Sequence, residues 1–223
     1  MKFIITTSNG RDHVLPLFIK YFEHHVINAD GFDINQHEFE LVGYDTPTVQ
    51  LPAWLKFVSL GHQRGPKYFT DDLHQYFAKQ PKWFVWMMDD SIIVDVNPID
   101  FKFVFANEPF FEMASWDITA KCNLTNEAMR RKHHMSDGIF IVDEKSEYRL
   151  STQPAIWNRD WLLANMPTLD GDGHSLTPWE FEKQPGKPGL IFGLVSGVFK
   201  VHEAIRKNDI KTILPIPEKC QLP

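Results

Sequence analysis

The chain has 223 residues, a formal net charge of −6 and a pI near 5.9, with 43% hydrophobic and 13% aromatic residues. That apolar content excludes a disordered chain, and the acidic balance excludes general affinity for nucleic acid, which draws on a basic field to displace counterions. Two cysteines, Cys122 and Cys220, are too few and too distant for a disulfide framework or a zinc site; with no apolar run near membrane length and too short an apolar start for a signal peptide, a soluble, cytoplasmic protein is expected.

Phe3 to Thr6 reads as a short buried strand, followed by the polar turn Thr7 to Asp12. Val14, Leu17, Phe18, Tyr21 and Phe22 then recur at helical spacing, so the chain opens as an α/β unit. Phe39 to Tyr44 is a second strand ending at Asp45, and Lys56 to Leu60 a third, running into the loop Gly61 to Lys67. A helix over 70–79 follows, with Asp71 and Asp72 suited to its first turn. Trp83 to Met88 is a continuous apolar run, the pattern of a central strand covered on both faces, and it stops at Asp89-Asp90-Ser91. These signals predict an open, mostly parallel sheet.

The second half is less regular. Phe101 to Phe105, Gly138 to Val142, Tyr148 to Thr152 and Gly189 to Leu194 are strand-like, whereas Asn123 to His133 and Arg159 to Asn165 have helical character. Thr168 to His174 and Gln184 to Pro188 read as loops. With no repeat and no linker, a single domain is expected, in two halves over 1–100 and 101–210 with a tail over 211–223.

Two groups of acids carry the chemistry. In open α/β sheets ligands bind beyond the carboxyl ends of the strands, where Asp89 and Asp90 lie. Adjacent carboxylates repel, so a cation is expected beside them; Mg²⁺ or Mn²⁺ suits oxygen ligands and would hold a diphosphate. Equally, Asp90 caps a turn and Asp89 pairs with Arg64 or Lys67. The second group is Thr177-Pro178-Trp179-Glu180-Phe181-Glu182. Thr177 is placed as N-cap, Pro178 at the first helical position and Glu180 to close a capping box. The cap accounts for Glu180 and leaves Glu182 as the preferred general base, with Glu180 second. Trp179 offers a face for a sugar ring, or belongs to the core.

Phe84 to Asp90 resembles the segment carrying the acidic metal-binding motif of GT-A glycosyltransferases. Together with Gln153-Pro154-Ala155-Ile156-Trp157, Trp161-Leu162-Leu163 and Pro178 to Glu182, it resembles a group of bacterial and viral glycosyltransferases and glycosyltransferase-like proteins, from the first strand to about Arg206. The resemblance implies a GT-A-like (Rossmann-like) α/β domain, with a mostly parallel mixed sheet flanked by helices. It implies that Thr6, Thr7, Arg11, Asp45, Arg64, Lys67 and Asp89 border a nucleotide-sugar donor, a UDP-sugar being favoured. Gln153, Trp157 and Trp179 would face the acceptor, and Asp89, Asp90 and His202 would bind Mn²⁺ or Mg²⁺. Ser91 departs from the strict Asp-x-Asp pattern.

The expected activity is hexosyl or pentosyl transfer to a hydroxyl of a glycan or small molecule. A rival acceptor is a hydroxymethylated base of viral DNA, in host cytoplasm, with Arg130 to His134 touching phosphates; otherwise that cluster is a solvated helix face. A third reading is a non-catalytic sugar-nucleotide or glycan-binding module. The pairs His24-His25 and His133-His134 diverge on helices and are surface features, while His62 and His174 fall in loops. Asp170-Gly171-Asp172-Gly173 lacks the glutamate of a calcium loop and reads as turn chemistry.

Overall fold

The computed structural model describes residues 1–97, 115–117, 119–120, 131–134, 139–142, 150–189, 191–194, 198–206 and 209–222. Strand β1 (Lys2–Thr6) leads into helix α1 (Leu15–Phe22), then β2 (Glu38–Gly43), β3 (Leu55–Ser59), helix α2 (Phe69–Phe77) and β4 (Trp83–Met88). These four strands are parallel, in the order β3-β2-β1-β4. The chain moves outward from β1 through β2 to β3 and returns to place β4 on β1's other side. The strand order therefore reverses between β1 and β4, where open α/β sheets bind ligands.

Alternation along the central strands explains their unbroken apolar runs. Phe3, Ile5, Val85 and Met87 pack on the face covered by Leu15, Phe18 and Phe22 of α1. Ile4, Phe84 and Trp86 pack on the other, against Leu73 and Phe77 of α2 and Phe181. Each successive side chain meets a different apolar layer, so every position is apolar. Burying one such side chain contributes about 1.5–3 kcal/mol. Helix α1 has a proline in its first turn and continues into a π-helical segment, Glu23–Ile27, in which Glu23 accepts the Trp54 indole N–H at 2.9 Å.

The remaining elements are β5 (Ser91–Val96), β6 (Ser115–Asp117), β7 (Thr119–Ala120), β8 (Arg131–His134), β9 (Ile139–Val142), β10 (Ala155–Asn158), helices α3 (Arg159–Ala164), α4 (Leu169–Asp172) and α5 (Pro178–Lys183), and β11 (Ile191–Leu194), β12 (Phe199–Glu203), β13 (Ile205–Arg206) and β14 (Asp209–Ile213). Antiparallel β10 follows β4 and extends the sheet through β6, β11, β9 and β8. A smaller sheet, β5-β12-β7, and the pair β13–β14 complete the described strands. The fold is the expected GT-A-like mixed α/β sheet with flanking helices. Among the described residues no helix is long and apolar enough to cross a membrane.

Several local expectations are corrected. Residues 150–152 are not extended into a strand; the strand begins at Ala155, because its partner rows are Trp83 to Trp86 and Ser115 to Asp117. Residues 131–134, expected to close a helix, form β8 on β9. The loop expected at 168–174 contains one helical turn, capped by Thr168 and ended by Gly173 in the left-handed conformation. The strand β5 was not anticipated. The described part of the expected tail, residues 211–222, packs on the core: Ile216 is buried, and the Leu222 N–H donates to the Tyr21 hydroxyl at 3.3 Å. The strand expected at 101–105, the helical stretch 123–130 and Cys122 lie outside the described residues.

Candidate functional site

The site forms where β1 and β4 end. Thr6 closes β1 on the α2 face, accepting the Trp86 indole N–H at 3.0 Å. The Asp89 N–H donates to the Thr6 carbonyl at 3.1 Å, which continues the pairing one residue beyond β4. Asp89 follows the alternation of Val85 and Met87, so its carboxylate turns inward and is fully buried. Thr7 Oγ1 donates to Asp89 Oδ2 at 2.6 Å, and Arg11 Nη1 donates to Asp89 Oδ1 at 2.7 Å. Arg11 Nη2 pairs with Asp90 Oδ2. Neither expected partner, Arg64 or Lys67, reaches these acids; Arg11, drawn under the β1–α1 turn, does.

Arg11 is held in place by the turn itself. Its N–H donates to Ser8 O at 3.2 Å, and its carbonyl accepts from Val14 N at 2.8 Å. Gly10 supplies the left-handed residue (φ 84°) just before it. Gly43 at the end of β2 is equally constrained, because an added Cβ would lie 2.6 Å from Thr7 Cγ2. Burial lowers the Arg11 proton affinity, but Asp89 and Asp90 outweigh it and hold the guanidinium firmly charged. Burial pushes the Asp89 carboxyl up, with Arg11 and Thr7 pulling against that rise.

Beside this cluster a cleft of about 420 Å³ opens between the β1–α1 turn and the end of β2. Thr7, Asn9, Asp12, Tyr44, Asp45 and Thr48 are among its lining residues. Its walls are tied together: Asn9 and Asp45 exchange two hydrogen bonds of 2.6 and 3.1 Å, and Asp12 accepts from the Thr48 N–H and hydroxyl at 2.8 and 2.6 Å. Tyr44 donates to Asp72 at 2.8 Å. Arg64, exposed on the β3–α2 loop, is clamped by Asp71 at 2.5 Å and by Asp72, and lies over the Tyr68 ring. Lys67 covers the same ring at 5.0 Å. The two basic residues thus stand at the α2 rim, apart from Asp89.

The second group of acids arrives from the chain's other half. Thr177 and Glu180 form the expected capping box at the start of α5, with Pro178 in the first turn. Glu180 Oε2 accepts the Thr177 N–H at 2.8 Å, which lowers its pKa. Glu180 is exposed and engaged in the cap, as the capping-box pattern predicts. Glu182 turns inward, and its Oε1 accepts both the Thr152 N–H (2.8 Å) and the Thr152 hydroxyl (2.7 Å). Burial raises its pKa; the two Thr152 bonds oppose this, while the charges of Glu203 and Asp90 reinforce it. Thr152 binds Glu182, its neighbour Gln153 binds Glu203, and Ala204, which follows Glu203, binds the Asp90 carbonyl, so the two acid groups share one side of the molecule.

Glu203 was missed in the sequence. Strand β12 pairs with β5 so that Glu203 lies opposite Ser91, and the Ala204 N–H donates to the Asp90 carbonyl at 2.8 Å. Gln153 Nε2 donates to Glu203 Oε1 at 3.3 Å, which brings Gln153 beside Glu203. The only signal in the sequence was the alternation of Phe199 and Val201, which needed its partner strand to be meaningful.

Two further expectations are corrected. Trp157 is 1% exposed, packed between Trp86 and Trp161 within the core, so it lines no acceptor groove. Trp179, by contrast, is 39% exposed, on the same helix as Glu182. His202 precedes Glu203 on a pleated strand and so points to the opposite face; its Nε2 lies 3.4 Å from the Leu214 carbonyl. Among the described residues no three His, Cys, Asp or Glu side chains are grouped so that they could hold one metal ion. Both Asp89 oxygens and one Asp90 oxygen are occupied by Arg11 and Thr7, so this donor set does not fit the divalent ion that the resemblance implies.

The basic segment ending at His134 lies on β8, five strand positions from β4 in the order β4-β10-β6-β11-β9-β8. At about 4.8 Å per strand that is roughly 24 Å from the acids. Arg130 lies outside the described residues.

A parallel β3-β2-β1-β4 sheet, continued by antiparallel β10 and with a polar cleft at the carboxyl ends of β1 and β2, defines the class: a GT-A-like fold. No family model and no curated protein matches the chain. Among solved structures, S. aureus TarS residues 1–349 align with a TM-score of 0.54 at 14% identity, covering 89% of this chain and 59% of that one. An apo UDP-glucose pyrophosphorylase aligns with a TM-score of 0.52 at 10% identity, covering 95% and 94%. The chain thus spans a little under three-fifths of the TarS fragment's length. At these identities the likeness is one of fold.

Proposed function

We propose that the protein binds a nucleotide-diphosphate sugar in the cleft between the β1–α1 turn and the end of β2, and transfers the sugar to an acceptor hydroxyl at the Glu182 side. The observation that carries this reading is that Thr152, Gln153 and Ala204 tie Glu182, Glu203 and Asp90 together beside the β4 terminus, near the polar cleft at the ends of β1 and β2. One of the fold neighbours is a UDP-glucose pyrophosphorylase, which favours a UDP-sugar as donor. Hexosyl and pentosyl groups both suit the reading.

In this mechanism Asp45 and Asn9 face the nucleoside, and Lys67 brings positive charge towards the diphosphate from the α2 rim, where Arg64 is held by Asp71 and Asp72. Glu182 takes the proton of the attacking hydroxyl. Its Oε1 is anchored by Thr152, which leaves Oε2 as the oxygen that no described hydrogen bond uses. A base poised above the ordinary glutamate range transfers protons better near neutrality than an exposed one. Gln153 and the exposed Trp179 would border the acceptor, a glycan or small molecule.

A thermal-shift screen of nucleotide sugars tests donor binding, because a ligand bound only by the native state raises the melting temperature. A donor-hydrolysis assay of wild type and Glu182→Gln then tests the chemistry. Stabilisation by a UDP-sugar in both proteins, with hydrolysis lost only in the variant, is the expected result. Stabilisation with no turnover in wild type would assign a binding module instead, and duplex DNA binding with steep salt dependence would assign the DNA acceptor. Release of the sugar 1-phosphate on addition of pyrophosphate would assign pyrophosphorolysis.

A further inference from the structure

We infer that Arg11 is the cation of this site: its guanidinium occupies the position between Asp89 and Asp90 where a divalent ion would bind, and the site works without one. The inference rests on the transferase reading for its meaning, though its geometry does not.

Two carboxylates at adjacent positions, one of them fully buried, need a compensating positive charge. Arg11 supplies it with two separate donors, Nη1 to Asp89 and Nη2 to Asp90, so the planar fork bridges both acids at once. Thr7 takes the remaining Asp89 oxygen. Mg²⁺ and Mn²⁺ favour oxygen ligands, and Mg²⁺ demands near-octahedral geometry at about 2.0–2.1 Å. Here such an ion would find one uncommitted carboxylate oxygen, Asp90 Oδ1, with a guanidinium already beside it.

Displacing Arg11 is not a simple rotamer change. Its side chain is 9% exposed, and its backbone is fixed on both sides by bonds to Ser8 and Val14, the latter at the entry to α1. Swinging it out would strand Asp89, which has no access to water. Nor do the described residues of the second half supply a further ligand. His202 lies on the far face of β12, and Glu203 is engaged by Gln153.

The test uses the purified full chain and Mn²⁺ alone, read by the electron paramagnetic resonance signal of free Mn²⁺. Since it requires neither a sugar nucleotide nor turnover, its failure is separable from failure of the transferase reading. Wild type should leave Mn²⁺ free to millimolar concentration, and Arg11→Gln, which removes the charge and keeps both acids, should bind Mn²⁺ at least tenfold more tightly. Equal binding by the two proteins overturns the inference. If Arg11→Gln does not fold, wild type against Asp90→Asn decides. A 1:1 wild-type Mn²⁺ site of sub-millimolar affinity that Asp90→Asn abolishes overturns the inference, and indifference of both proteins to Mn²⁺ upholds it.

Discussion

The Asp89 cluster and the Glu182 cluster, the donor and acceptor sides of the proposed site, handle buried charge in opposite ways. On the donor side Asp89 and Asp90 meet a guanidinium and a hydroxyl, and all but one of their oxygens are engaged. On the acceptor side Glu182 is held by a single threonine and faces two more carboxylates, Glu203 and Asp90. A neutralised cluster is a scaffold that fixes a loop, whereas an acid among acids is a group prepared to take a proton. The two sides also differ in assembly. The first is built from residues 6 to 90 on successive strands, the second from Thr152, Glu182 and Glu203, which are far apart in the chain.

The largest expected effect breaks the acceptor side. Glu182→Gln should lower the transfer rate by about 10²–10⁴-fold, the usual contribution of a general base, with donor affinity unchanged by calorimetry. Equal rates would remove Glu182 from the chemistry. The donor side is sharpened by Asp89→Ala, which leaves Arg11 with one partner in a buried site. A stability loss of about 3–5 kcal/mol in urea unfolding is expected, and a loss under 1 kcal/mol would show that the ion pair is not what holds the turn.

Gly43→Ala drives a methyl group towards Thr7 and so perturbs Asp89 from behind. About 1–3 kcal/mol of destabilisation should appear in thermal unfolding, accompanied by weaker donor binding. Thr177→Ala, which removes the cap of α5, should cost about 1 kcal/mol by the same measurement. Glu203→Gln gives the smallest change and the most specific one. Burial and neighbouring acids raise the Glu182 pKa above the ordinary 4.5, so activity should be lost as pH falls through that raised value. Removing the Glu203 charge takes away one raising influence, so the acid limb of the pH–rate profile should move to lower pH. A limb that stays in place would mean that Glu203 and Glu182 do not communicate.

Much of the donor half was legible in the chain. The unbroken run Trp83 to Met88 announced a strand buried on both faces, and its abrupt end at two acids located the switch point. The start of α5 was equally legible, since Thr177, Pro178 and Glu180 interact within one helical turn. Trp157 was misread because an aromatic residue near polar neighbours gives no sign of whether its ring turns to solvent or to Trp86. His202 and Glu203 could not be told apart until the register of β12 on β5 decided which one faces Asp90.

By itself the sequence determined what neighbours in the chain can enforce: strand and helix periodicity, the helix cap, and the placing of acids at strand ends. Only the tertiary structure decided which charges meet. Arg11 and Asp89 are 78 residues apart, and no spacing rule selects Arg11 over Arg64 or Lys67 as the partner. That choice follows from the inward turn of Asp89 and from the path of one loop beneath it, both set by packing over the whole sheet.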